Sequence, residues 1–248
     1  MIDLWLQQVV ERFWIAVGTP EPFPRRLEPS VLWTLPLAIV KLPRLWVHDA
    51  KTWLERRDIP LHLGSQDRPL HGCTIAYAGK GFVLLDGTDP DDESRFSLAH
   101  EVAHFLVDYL WPRQRAISRL GSGIVEVLDG LRPPTVEERF HALVRHIPLG
   151  VHAHLMTRRP DGVLGCSRII EAENRADRLA LELLAPSAEV RRHLAHFEKL
   201  LSFREGVQRT MHILLSDFGL PQTVAEAYGR ALYAHWYGGP SIRERLGL

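Results

Sequence analysis

Arg95-Phe96-Ser97-Leu98-Ala99-His100-Glu101-Val102-Ala103-His104-Phe105-Leu106 is the stretch on which the architecture turns. Its apolar positions recur at helical spacing, and inside it lies HEVAH, an HExxH motif. Residues four apart on an α-helix share a face roughly 6 Å from each other, so the imidazoles of His100 and His104 can reach one metal ion. Glu101 then stands beside that ion. From there a carboxylate can take a proton from an attacking water and hand it to a leaving amine. Short motifs also arise by chance, and 13 histidines in the chain raise the odds, so a third ligand has to be found.

A catalytic zinc takes three protein ligands and keeps its fourth position for water, and a carboxylate from a later helix can be the third. Glu171-Ala-Glu173-Asn-Arg-Ala-Asp177-Arg-Leu-Ala-Leu-Glu-Leu-Leu-Ala-Pro186 fits that need. Ala176, Leu179, Ala180, Leu183 and Leu184 form one helical stripe, and Pro186 ends it. Glu173 and Asp177 are four apart and flank the stripe. Glu173 can bind the metal while Asp177 accepts a hydrogen bond from the free ring nitrogen of a ligating histidine, fixing its tautomer. Both acids could equally be solvated first-turn residues, which suit a helix N-terminus. On spacing alone, Glu171 and Glu182 remain rival ligands.

Composition narrows the classes. The 248 residues carry 30 Lys+Arg against 30 Asp+Glu, a formal charge of zero, which argues against a dedicated nucleic-acid or membrane-surface binder. Hydrophobic content of 46% with 24% charged residues is that of a soluble globular chain. No apolar run is long enough to span a bilayer, and the start Met1-Ile-Asp-Leu-Trp-Leu lacks the basic n-region of a secretory leader. Cys73 and Cys166 form no CxxC pair, so a reducing, cytoplasmic setting is expected, with both thiols as buried apolar fillers.

Along the chain, apolar spacing predicts helices over Ile2 to Val17 and Leu45 to Arg56. Thr74 to Tyr77 and Phe82 to Leu85 flank Ala78-Gly79-Lys80-Gly81 and read as a β-hairpin with glycines where positive φ is wanted. Ile59 to Leu63 is a candidate further strand. The hairpin immediately precedes the HExxH helix, whose start is marked by Asp89, Pro90 and three acids; an edge strand there is expected to pair with extended substrate backbone. Thr135 to Ile147 reads as an amphipathic helix. His141, His146, His152 and His154 lie in or after it, and one of them could donate to an oxyanion. Helix continues after Pro186, and two more helices, Gly206 to Asp217 and Pro221 to Ala234, meet at Phe218-Gly219-Leu220 in a helix-turn-helix arrangement. Four arginines against three acids over residues 206–248 are too few to argue phosphate contact.

Three stretches together resemble the ImmA/IrrE family of metallopeptidases, a gluzincin-like group. They are Phe82-Val-Leu-Leu-Asp86, Arg95-Phe-Ser-Leu-Ala leading into HEVAH, and Glu173-Asn-Arg-Ala-Asp177-Arg-Leu-Ala-Leu-Glu-Leu-Leu-Ala-Pro186, which is similar to that family's ExxA[ND]x[FL]AxxLLMP block. The resemblance implies that His100, His104 and Glu173 bind zinc and that Glu101 is the general base and acid. It also implies a specific protein substrate, such as a helix-turn-helix transcriptional repressor cleaved in stress or mobile-element control. Ala103 replaces the family's usual Gly, Ala185 its usual Met, and the stretch 112–168 is longer than the family carries.

The expectation is therefore an α+β protein, mostly helical, with a small antiparallel sheet packed by the HExxH helix. A zincin-like metallopeptidase domain would span 1–200 with 112–168 inserted, followed by a helix-turn-helix-like segment over 201–248. The expected activity is that of a zinc-dependent endopeptidase acting on a protein or peptide; Mn²⁺ or Fe²⁺ can occupy the same ligands. The alternative is a metal-binding regulatory or DNA-associated module without proteolysis, favoured if a histidine such as His141, His152 or His154 closes the open coordination position.

Overall fold

The computed structural model describes residues 3–59, 67–144, 152–157, 167–195 and 202–239, with the side chains at 141–144, 152–157 and 167–169 outside that description. In chain order the elements are α1 (Leu4–Val17), α2 (Glu28–Thr34), β1 (Leu37–Leu42), α3 (Val47–Glu55), β2 (Leu70–Tyr77), β3 (Lys80–Asp86) and α4 (Asp91–His104). A wide π turn (Phe105–Leu110) leads into α5 (Trp111–Leu120). Then follow α6 (Val125–Leu128), α7 (Val136–Val144), β4 (His152–Thr157), α8 (Ser167–Leu184), α9 (Ser187–Ala195), α10 (Phe203–Ser216) and α11 (Gln222–Tyr237). The protein is mostly helical with one small sheet, an α+β architecture.

That sheet is mixed, not antiparallel as expected. Its order is β1-β3-β2-β4, with β2 antiparallel to both β3 and β4 but β1 parallel to β3, Leu37 opposite Gly81 and Leu42 opposite Asp86. A parallel pair needs a crossover, and the segment containing α3 supplies it. The β2–β3 hairpin is consequently interior. Its two outer sides are taken by β4 and β1, so the expected substrate-pairing edge on the hairpin does not exist. Pro60 to Leu63 of the further candidate strand lie outside the described residues.

Alternation along β2 builds three layers. Cys73 and Ile75 turn to one side, where they share a core with Leu45, Val47, Ala50, Trp53 and Leu54 around α3. Gly72, Thr74 and Ala76 turn to α4, as the period of two requires. On its far side α4 packs along α8, with Ala99, Val102 and Ala103 in the same core as Ala176, Leu179, Ala180 and Leu183. From Phe96 to His104 every residue of α4 is buried. Small side chains at the helix contact allow close approach.

The hairpin's glycines have different tasks. Positive φ falls on Ala78 (50°) and Gly79 (79°), as a two-residue turn of this hand demands. Gly81 is outside the turn. A Cβ there would sit 2.5 Å from the Phe105 ring, so its bare backbone is what lets the π turn lie against β3. Gly79 donates its N–H to the Tyr109 hydroxyl at 2.7 Å, a second tie between hairpin and π turn. At the other end of α4, Arg95 donates to the carbonyls of Phe218 and Gly219 between α10 and α11. The apolar cluster around α4 and α8 runs on through Ile213, Leu214, Ala225 and Leu232 of those helices and Phe218 of the turn between them.

Candidate metal centre

Two parallel commitments define the chemistry between α4 and α8. The ring of His100 donates from Nδ1 to Asp177 Oδ1 at 2.8 Å, and that of His104 from Nδ1 to Asp108 Oδ2 at 2.7 Å. A neutral imidazole that donates from Nδ1 carries a lone pair on Nε2. Those lone pairs meet: the two Nε2 atoms are 3.1 Å apart. Glu173 closes the third side, Oε2 lying 3.5 Å from His100 Nε2 and Oε1 3.7 Å from His104 Nε2. Two ring nitrogens and the Glu173 carboxylate thus converge, and a cation or a shared proton between them offsets their mutual repulsion.

The separations are compatible with one bound cation. Bonds of ~2.0–2.1 Å in tetrahedral geometry place neighbouring ligand atoms about 3.3 Å apart, and the observed values bracket that figure. His100, His104 and Glu173 can therefore hold a metal ion between them. The protonation of His100 shows the same demand for charge. Burial of the ring pushes its pKa down, but the carboxylates of Asp177 and Glu173, with a contribution from the Glu101 charge, outweigh burial and raise it to about 9. Both histidines are buried, whereas the side chains of Glu173 and Asp177 are 37% and 49% exposed. The cluster opens to solvent on the α8 side.

Glu101 is fully buried next to this cluster. Its position depends on a residue that is missing a side chain: a Cβ on Gly72 would come within 2.8 Å of Glu101 Cγ and 2.9 Å of its Oε1. Thr74 adds a fixed point by donating its hydroxyl to the Glu101 carbonyl at 3.0 Å. Strand β2 therefore both makes room for the acid and holds its backbone. Cys73, between them on the opposite face of the strand, is buried, and burial together with the Glu101 charge pushes its thiol pKa well up. Cys166 lies outside the described residues.

All five residues expected at the centre are found in it or touching it: His100, His104 and Glu173 converge, Asp177 bonds to a ring, and Glu101 is adjacent. The rivals separate. Glu182 bonds to Ser187 and Tyr228 away from the cluster, and Glu171 is not part of the ligand group. His146 and the side chains of His141, His152 and His154 lie outside the described residues. Sequence reasoning missed Gly72, Thr74, Asp108 and Arg175. For Asp108 the signal was present, since it follows His104 by the same four-residue step that joins the two histidines.

Compared with known proteins, the chain matches no protein-family model and no curated sequence. No described helix is long and apolar enough to cross a membrane.

Proposed function

We propose that the protein is a zinc-dependent endopeptidase of the ImmA/IrrE type, with α4 and α8 as the two ligand helices of a zincin-like catalytic fold. The observation that carries this reading is the convergence of two imidazole lone pairs and a carboxylate beside a buried acid, with one side of the cluster open to solvent. A purely structural metal site has no use for that neighbouring acid. A bound Zn²⁺ would polarise the scissile carbonyl and make an attacking water more acidic. Glu101 supplies the proton traffic: its carboxylate accepts the proton of the attacking water and delivers it to the departing amine nitrogen. The Nδ1–H of His100 and of His104 is held by a carboxylate, so each ring would present Nε2 to a bound ion. Asp177 and Asp108 fix those tautomers.

A specific protein, such as a helix-turn-helix transcriptional repressor, is the proposed substrate class, and a cytoplasmic setting agrees with it. Helices α10 and α11, joined by the turn at Phe218-Gly219-Leu220, are then the helix-turn-helix-like segment of the molecule. The decisive experiment incubates the full chain, loaded with Zn²⁺, with candidate repressors. Cleavage is expected in the wild type. Glu101→Gln should retain the metal and lose the ~10²–10⁴-fold that a general base contributes. Equal cleavage by Glu101→Gln removes the acid from the mechanism.

A further inference from the structure

The two histidines have unequal supports. His100 leans on Asp177, whose side chain is 49% exposed, and water can take over part of its work. His104 leans on Asp108, whose side chain is 13% exposed and whose other oxygen, Oδ1, receives the Arg175 guanidinium at 3.1 Å. Arg175 stands on α8, two residues beyond Glu173. The chain His104–Asp108–Arg175 therefore runs from one ligand helix to the other without passing through the metal position.

The backbone under Asp108 is unusually well held. It lies in the π turn, where Trp111 N–H reaches back to Leu106 O, a local widening of the helix that is often found at functional sites. On either side of it Phe105 lies against the bare backbone of Gly81 and Tyr109 accepts the Gly79 N–H. The carboxylate of Asp108 is consequently fixed to the sheet through its neighbours and to α8 through Arg175.

We propose that Asp108 is a positioning residue for the metal centre, with Arg175 as its brace. Asp108 holds the His104 ring in the Nδ1–H tautomer and in the orientation that aims Nε2 at Glu173. Arg175 occupies the second carboxylate oxygen and ties Asp108 to the helix that carries Glu173, so ligands from two helices are set against each other before any ion arrives. The proposal rests on the metal-centre reading above.

The test measures Zn²⁺ affinity by chelator competition on the full chain, with the visible absorption of the Co²⁺-loaded protein as a coordination signature and metal-free melting as a control. Loss of an outer hydrogen-bond partner of a ligating histidine typically costs 10–100-fold in affinity. Asp108→Ala is expected at the upper end of that range with an altered Co²⁺ spectrum, and Asp177→Ala at the lower end. Arg175→Met should cost about fivefold or less, since its guanidinium is part-exposed. Should Asp108→Ala not fold, the same ordering is read from Asp108→Asn against Asp177→Asn. A loss in the Asp108 variant no larger than in its Asp177 counterpart overturns the proposal. If the wild type takes up no metal, this proposal and the peptidase reading both fall. If the affinity ordering holds but Glu101→Gln cuts as fast as wild type, only the peptidase reading falls.

Discussion

Helix α8 carries acids on two faces, and they differ instructively. Glu182 is the more buried, beside a cavity of about 920 Å³ between α1, α8, α9 and α11. Its carboxylate meets donors: the Ser187 N–H at 3.2 and 3.3 Å and the Tyr228 hydroxyl at 3.5 Å. Glu173 is half-exposed and faces the Nε2 atoms of two imidazoles whose Nδ1 hydrogens are already given to other carboxylates. One acid caps the next helix; the other completes a set of acceptors that calls for a cation. Burial and cavity size would have chosen Glu182. The balance of donors and acceptors chooses Glu173.

Removing each acid is the strongest way to break this contrast. Glu173→Ala deletes the proposed third ligand, so its loss of metal affinity should exceed the ~10–100-fold typical of an outer partner. Equilibrium dialysis with metal analysis reads it directly. Retention of stoichiometric zinc by Glu173→Ala would mean that a different group completes the site.

The same contrast explains what could be read from sequence. The pairs of the centre, His100 with His104 and Glu173 with Asp177, were legible because four residues make one helical turn and so share a face, whereas the choice of Glu173 over Glu171 and Glu182 came from the family resemblance and not from spacing. Helices α1, α3, α4, α8, α10 and α11 were legible from apolar spacing for a similar reason, whereas α2, α5 and α6 were not read. Strand β1 was not, although Pro36 and Pro43 bracket it, because six residues of mostly apolar run carry no periodicity that separates strand from buried helix. The parallel pairing of β1 with β3 is a non-local choice and could not be seen at all. Gly72 and Gly81 were opaque for another reason. Their importance lies in what approaches them, the Glu101 carboxyl and the Phe105 ring, and proximity across elements leaves no local mark in the chain.

A smaller effect sharpens the comparison through pH. In the metal-free protein the folded state raises the His100 pKa from 6.5 to about 9, so it binds that proton more tightly than the unfolded chain does. The resulting stabilisation is fully present below pH 6.5 and is lost as pH rises through about 9. Metal must displace the same proton, so affinity should run the other way, rising about tenfold per pH unit between 7 and 9. Chelator-buffered zinc titrations at pH 7, 8 and 9 check the slope. A flat profile would show that no proton occupies the cluster when the metal is absent.

The smallest effect belongs to Glu182. Burial pushes its carboxyl pKa up, and the hydrogen bonds from Ser187 and Tyr228 offset only part of that. The sign is the same as for His100: the proton is held more tightly in the folded state, so the stabilising share is complete below the ordinary carboxylate value and disappears as pH rises through the folded value. At neutral pH the charged form is therefore a burden that a neutral side chain of equal shape would not carry. Glu182→Gln keeps an oxygen for the Ser187 N–H and adds an amide that can donate to the Tyr228 oxygen. Its melting in the metal-loaded protein should stay within about 1 kcal/mol of wild type, and zinc affinity should be unchanged within error. A marked loss of metal in this variant would break the comparison, because it would mean that the cavity face of α8 sets the position of the ligand face.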